Sequence, residues 1–174
     1  MQIRQSIHTD SPALLNCYKN NRAHLAPWEP KRDEIFYTPQ FWDEQMQIRE
    51  AETQAGRAAY FVAVDDADEV IAVCNFTNIV RGVFQAAHMG YAVAEEYQGK
   101  GIMKALCEHV LHHAFDELKL NRVMSNYLPH NERSGKLLAS LGFAREGYAK
   151  RYLKINGQWQ DHILTARLNP INNY

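Results

Sequence analysis

Tyr91-Ala92-Val93-Ala94-Glu95-Glu96-Tyr97-Gln98-Gly99-Lys100-Gly101-Ile102-Met103-Lys104 reads as a strand, a short polar connection and a glycine-bearing turn that opens a helix. From Ile102 the apolar residues recur at helical spacing, through Leu106, Val110 and Ala114. Glycines at a helix start let a ligand approach the backbone, because no Cβ stands in the way. The first N–H groups of such a helix have no internal partner, and the macrodipole makes that end positive. A pyrophosphate suits the arrangement; so does a bare strand-to-helix turn that binds nothing. Two phosphate loops are excluded. A dinucleotide fingerprint needs a third glycine where Lys104 stands. A P-loop needs Gly-Lys-Ser or Gly-Lys-Thr after a four-residue gap, and neither occurs.

Outward from that stretch the chain alternates strands and helices. Gln2 to His8 is expected as a first strand. Asp10-Ser11-Pro12 should cap a helix with Leu14, Leu15, Tyr18 and Leu25 on one face, closed by Pro27-Trp28-Glu29-Pro30. Thr38-Pro39 should start a second helix reaching about Gln54, with Phe41, Gln45 and Ile48 on one side. Tyr60 to Val64, Val70 to Val80 and about Ala86 to Val93 read as three strands, joined by turns at Asp65 to Asp68 and at Arg81-Gly82. A helix from Gly101 to Asp116, a strand from Arg122 to Tyr127 and a helix from Asn131 to Leu141 follow. Tyr148 to Ile155 and Gln158 to Leu168 flank Asn156-Gly157, a strong hairpin dipeptide. The order β-α-α-β-β-β-α-β-α-β-β predicts a mixed, mostly antiparallel sheet of α/β (α+β) class, with a parallel pair at its centre.

Composition sets the limits. At 174 residues the chain is expected as a single domain, 1–174. Apolar residues make up 46% and charged residues 22%, ordinary for a soluble globular protein. A formal net charge of -1 gives no global reason to expect direct nucleic-acid binding. Cys17, Cys74 and Cys107 form no C-x-x-C pair, which fits a reducing cytoplasm. No apolar run approaches the ~20 residues of a membrane span, and the opening residues hold no signal-peptide core. His109 and His113 have i, i+4 spacing, but no Asp, Glu or Cys set completes a metal site.

The pattern Gln-x-x-Gly-x-(Gly/Ala), matched by Gln98 and Gly101, resembles the acetyl-CoA loop of the GNAT N-acetyltransferases. Met103 departs from it, although a methionine backbone N–H can still donate. Further stretches resemble the ribosomal-protein-alanine N-acetyltransferases, the RimJ branch of the RimJ/RimL subfamily: Pro27 to Pro30, Asn75 to Gly82, Asn126 to Asn131, Arg133-Ser134-Gly135, Leu141-Gly142-Phe143, Glu146 to Lys150 and Gly157 to His162. The resemblance spans about residues 10 to 168 and implies the GNAT acyl-CoA N-acyltransferase fold. It also implies acetyl transfer from acetyl-CoA to the N-terminal alanine of a small-subunit ribosomal protein, in the cytoplasm, with contact to the ribosome or pre-ribosome. Neither membrane nor metal is implied, and monomer and homodimer both stay open.

Acetyl transfer to an amine needs the thioester held, its carbonyl oxygen stabilised, the amine neutral and the departing thiolate protonated. Direct attack needs no protein nucleophile. Gln98, Gly99, Lys100, Gly101, Met103 and Lys104 are the expected holding loop, with the two lysines equally readable as an exposed helix face. By resemblance, the main chain of Tyr91 and Val93 bonds the pantetheine arm and faces the developing oxyanion, while their side chains read as strand core. Asn131 is expected as a helix N-cap, as a coenzyme A contact, or as both. By resemblance Ser134 is a donor to the thiolate; by position alone it is a first-turn serine. A related branch carries a strand glutamate and a helix tyrosine where this chain has Asn126 and Leu138, so those roles do not carry over. An α-amine has a pKa of ~8, whereas a lysine is near ~10.4, so a water relay to a carboxylate would suffice for an N-terminus. Glu29 is the candidate carboxylate, with a surface-loop acid as its alternative. Trp28, Asn126 and Tyr127 are candidate acceptor contacts. Trp28, Phe36, Tyr37 and Trp42 either line a peptide entrance or pack helices onto the sheet, core packing being favoured. Rival readings are an acetyltransferase for a lysine, a polyamine or an antibiotic amine; a non-catalytic acetyl-CoA-binding regulator; and a nucleotide-binding α/β protein.

Overall fold

The computed structural model describes residues 1–171. Seven strands form one sheet: β1 (Gln2–Gln5), β2 (Ala59–Val64), β3 (Val70–Val80), β4 (Ala86–Val93), β5 (Arg122–Tyr127), β6 (Ala144–Ile155) and β7 (Gln158–Leu168). Their order is β1-β2-β3-β4-β5-β7-β6. Every neighbouring pair is antiparallel except β4 and β5, the central parallel pair. The helices are α1 (Ser11–Asn20), α2 (Arg22–Leu25), α3 (Pro39–Gln54), α4 (Ile102–His112) and α5 (Glu132–Ser140). The expected element order holds, save that the first helix is divided into α1 and α2. Asn156 and Gly157 both have positive φ (45° and 80°), as a two-residue hairpin turn requires.

β2 is apolar almost throughout because both faces of the sheet are covered. Phe61 and Ala63 enter a core with Leu106, Cys107 and Val110 of α4. Val62 and Val64 enter a second core with Leu14 and Tyr18 of α1 and Trp42 and Met46 of α3. Tyr18 stacks on Trp42 at 5.1 Å, and Phe36 meets both rings. Phe36 and Trp42 are thus core residues. Trp28 is 37% exposed.

Three local expectations are corrected. β1 ends at Gln5, and His8–Asp10 is a 3-10 turn instead of strand. The cause is Asp10, whose carboxylate takes two 2.7 Å bonds from the Arg4 guanidinium and a 2.8 Å bond from the Ile7 N–H. With its oxygens so committed, Asp10 makes no side-chain cap to α1. The first helix breaks at Asn21, whose Nδ2 donates to the Cys17 carbonyl at 2.8 Å and whose Oδ1 accepts from the Glu95 N–H at 2.8 Å. The buried face of α3 is Trp42 and Met46, one residue round from the expected stripe, and Ile48 is exposed.

α4 runs on into a π turn at His113–Glu117. α5 lies close on β5 at Gly135. A Cβ there would stand 2.9 Å from Cε2 of Tyr127.

Two stability outcomes follow. Arg4→Ala strips the partner from a carboxylate that is 5% exposed as a residue and should cost about 3 kcal/mol. Burial pushes the Asp10 carboxyl up, but Arg4 and the Ile7 N–H outweigh it and hold the group below its usual range. A depressed carboxyl stabilises above its unfolded pKa of ~3.9 and loses that contribution as pH falls through the folded value. Denaturant titrations at neutral and strongly acidic pH should therefore show the cost of Arg4→Ala shrinking in acid. Gly135→Ala, which propensity alone would make stabilising by ~1 kcal/mol, should instead lower the melting temperature, because Tyr127 must move.

Candidate active site

β4 and β5 pair only from Ala86–Arg122 to His88–Met124, although β4 continues to Val93 and β5 to Tyr127. Beyond the last pair Ser125 Oγ donates to the Met89 carbonyl at 2.9 Å. Strand alternation fixes which groups face the opening. The Ala94 N–H donates to the Ile71 carbonyl on the β3 side at 2.9 Å. Met89, Tyr91 and Val93 are out of phase with Ala94 and so turn their main-chain groups toward β5. Past Met89 no ladder to β5 covers them. The main chain of Tyr91 and Val93 therefore borders the cleft, where unpaired backbone groups need a ligand or water.

A 3-10 turn at Glu95–Tyr97 leads from β4 to the glycine turn. Gly99 and Gly101 have φ of 72° and 77°, which side-chain-bearing residues rarely adopt, and no heavy atom lies within 4 Å of a Cβ built on either. The N-terminal N–H groups of α4 open beside this vacant backbone. The geometry fits the pyrophosphate of a coenzyme A thioester. Met103 packs its side chain inward, its sulfur 3.7 Å from Cys107 Sγ, so the residue that departs from the family pattern keeps its side chain off the loop surface. Gln98 accepts from Arg133 of α5 at 2.6 Å and lies 3.0 Å from His24 Nε2 of α2. Lys100 sits 4.9 Å over the Tyr97 ring, and Lys104 is 3.9 Å from Glu108 at the exposed surface.

The start of α5 stands across the cleft. Asn131 Oδ1 accepts from the Ser134 N–H at 3.1 Å, so Asn131 is the N-cap, with its Nδ2 on the other arm of the amide. Ser134 Oγ is 2.6 Å from the Tyr91 hydroxyl. Burial pushes the Tyr91 phenol far up, against a smaller pull downward from Ser134. Asn126 is held at both ends, donating to the Tyr152 hydroxyl and accepting from the Thr165 N–H, each at 3.2 Å. Leu138 is core. Tyr91, Val93, Asn131, Ser134, Tyr127 and the Gln98 loop thus gather at one end of the β4–β5 opening.

Glu29 lies elsewhere. Its carboxylate borders a cavity of about 170 Å³ lined by Tyr18, Leu25, Arg32 and Tyr37, and none of Tyr91, Tyr127 or Ser134 lines it. Burial raises its carboxyl pKa, partly opposed by Arg32 at 3.7 Å. The neighbouring Trp28 packs against His130 at 5.6 Å, one residue before Asn131. Sequence reasoning missed the Tyr91 side chain, Arg133, His24 and Asn21. The alternation of β4 marks Tyr91 only as inward-facing, and nothing local signals Asn21 or His24. Arg133 stands inside a motif that resembles the family, which is the local signal that marks it. Among the described residues no group of three or more His, Cys, Asp or Glu is placed to hold a metal, and no helix is long and apolar enough to cross a membrane.

This sheet, opened between its central parallel strands beside a glycine-led helix, has known counterparts. The acetyltransferase (GNAT) domain family matches residues 1–144. The [ribosomal protein uS5]-alanine N-acetyltransferase of Escherichia coli is 44% identical over 162 residues, covering 92% of this chain and 84% of that protein. The crystal structure of a ribosomal-protein-S5-alanine acetyltransferase from Vibrio fischeri superposes with a TM-score of 0.95 at 42% identity, covering 99% of this chain and 95% of the other. RimJ of Mycobacterium smegmatis, solved in complex with a CoA-disulfide, gives 0.91 at 30% identity, covering 99% and 83%. The chain belongs to the GNAT acetyltransferase family.

Proposed function

We propose that this acetyltransferase moves acetyl from acetyl-CoA to the N-terminal α-amine of a small-subunit ribosomal protein that begins with alanine. The observation that carries the reading is the 44% identity to the Escherichia coli uS5-alanine enzyme over 92% of this chain. A ribosomal acceptor sets the reaction in the cytoplasm, with the chain working as one domain.

Acetyl-CoA supplies an activated acetyl thioester. The chain's part is to hold and orient it. The α4 N–H groups and the open backbone at Gly99 and Gly101 receive the phosphates, with Gln98, Lys100, Met103 and Lys104 around them. Tyr91 and Val93 offer main-chain groups to the pantetheine arm and to the thioester oxygen, where one well-placed donor is worth ~3 kcal/mol. Asn131 Nδ2 is available to the same arm. The Ser134 hydroxyl donates to the departing thiolate. Trp28, Tyr127 and the framing Asn126 border the acceptor's approach. Glu29 lines a cavity separate from Tyr91 and Ser134, so it takes the amine proton only by relay through water, and its burial makes it a stronger base than an exposed glutamate.

The acceptor preference follows from proton affinity. A lysine is roughly two pKa units harder to neutralise than an α-amine, about 3 kcal/mol. With no strand glutamate beside the cleft, that cost falls on the rate. Two peptides of one sequence separate the readings: one has a free alanine terminus, and the other is blocked there but keeps an internal lysine. The free alanine peptide should react about a hundredfold faster. Comparable rates would remove the N-terminal assignment. Serine should follow alanine and leucine should be weak, because a pocket discriminates a few methylenes by only ~1–3 kcal/mol.

The pH profile tests Glu29. A base with a raised pKa is ionised only above that value, so wild-type turnover should fall as pH drops through it. The acceptor α-amine, pKa ~8, protonates over the same range and keeps a limb of its own, so Glu29→Gln should reduce turnover by about tenfold or more and remove only the added steepness below the raised Glu29 pKa. A profile with the same limb as wild type would remove Glu29 from the proton path.

A further inference from the structure

Ser134 lies in the first turn of α5, and a serine there has three staggered positions for its hydroxyl. No helical turn precedes Ser134, so the back-bond that holds serines within a helix is not offered here. In this protein the hydroxyl is held instead by Tyr91, 2.6 Å away on the facing strand. The Tyr91 main chain borders the thioester cleft, and its ring packs on the core beneath α4. One residue therefore has its backbone at the acyl end of the cleft and its hydroxyl on the serine proposed to meet the leaving sulfur.

We propose that Tyr91 is a positioning residue: its phenol donates to Ser134 Oγ, fixes that rotamer, and leaves the Ser134 hydroxyl hydrogen free to point at the departing thiolate. This role rests on Ser134 serving the thiolate as proposed above. At 2.6 Å either hydroxyl can donate, and the surroundings leave the phenol hydrogen available. The side chains that bear on Tyr91 are Ser134, Cys107, Cys74 and Tyr127, and none of them is a carboxylate able to draw off its proton. Burial keeps the phenol protonated, so its hydrogen is there to be donated across the contact. Ser134, once it accepts, has only its own hydrogen to give. No proton changes owner between the two hydroxyls; Tyr91 sets a direction, and the bond to sulfur is made by Ser134 alone.

Tyr91→Phe removes the hydroxyl and keeps the ring, so the core is undisturbed and the fold is checked by its melting curve. Turnover should fall about five- to tenfold, with the KM and the measured Kd for acetyl-CoA within about twofold of wild type. Ser134→Ala should fall at least as far. The double variant should be no slower than Ser134→Ala within about twofold, because Tyr91 acts only through Ser134. A second readout needs no turnover. In ligand-free protein labelled at tyrosine ring carbons, the Tyr91 signal, assigned by its loss in Tyr91→Phe, should shift in Ser134→Ala.

Wild-type turnover in Tyr91→Phe, an additive double variant, or an unmoved Tyr91 signal would each overturn the positioning role. Wild-type turnover in Ser134→Ala would overturn it together with the thiolate role of Ser134. The cycle is run on whichever amine reacts best in a panel of the free-alanine peptide, the blocked lysine peptide and spermidine. A wrong acceptor assignment then shows in the panel and not in the cycle.

Discussion

The early end of the ladder between β4 and β5 is the constraint on which the rest of the molecule depends. Parallel neighbours gain by pairing along their whole length, yet here they part after His88 and Met124. Each strand is fully engaged on its other side. β4 stays with β3 from Ala86 to Val93, and β5 stays with β7 from Arg122 to Tyr127. Ser125 wedges the fork: its hydroxyl takes the Met89 carbonyl, and its own carbonyl is taken by the Thr165 hydroxyl. Asn126 continues the same bias by reaching across to the Thr165 N–H and the Tyr152 hydroxyl. The sheet thus behaves as two halves sharing a short hinge of hydrogen bonds. The unsatisfied strand edge that results is the polar lining of the cleft.

The loop that closes one end of this cleft is anchored from three directions. Asn21 accepts from the Glu95 N–H where the loop begins, and the Tyr97 hydroxyl donates to Asp65 at 3.0 Å. Gln98 joins Arg133 of α5 to His24 of α2. A loop held this way needs little ordering when a phosphate arrives, and lower ordering cost raises affinity without any added contact. The same bonds explain the helix break at Asn21. A continuous helix would carry the Asn21 amide away from Glu95.

Much of the fold was legible because its signals are local. β3, β4, β5 and β7 stand where their apolar runs and turn residues put them, and Asn156-Gly157 marked its hairpin. The glycine turn was legible for the same reason, since positive φ at Gly99 and Gly101 is a backbone demand written in single residues. The failures share a cause of the opposite kind. Asp10 looks like a cap until Arg4 competes for it, and the face of α3 shifts to Trp42 and Met46 because Tyr18 and Phe36 come from elsewhere to meet them. The hydroxyl pair of Tyr91 and Ser134 joins residues 43 positions apart, and the β4 alternation could mark only which way the ring points. Glu29 answers the need for a carboxylate within the family-like Pro27–Pro30 stretch, and its cavity is bounded by α1, α2, the front loop and Asn156 of the β6–β7 turn.

The front loop is also tied to the far hairpin. The Asn156 N–H at the β6–β7 turn donates to the Glu29 carbonyl at 2.9 Å, and a Cβ on Gly157 would lie 3.7 Å from Lys31 Cδ. Segments more than a hundred residues apart in sequence therefore form one physical unit beside the Glu29 cavity. Because the bond joins main-chain groups, it constrains backbone course and not side-chain identity. A graft of either segment from a relative keeps the tie only where the new backbone follows the same path beside the other, so a change of length in one stretch is felt in both.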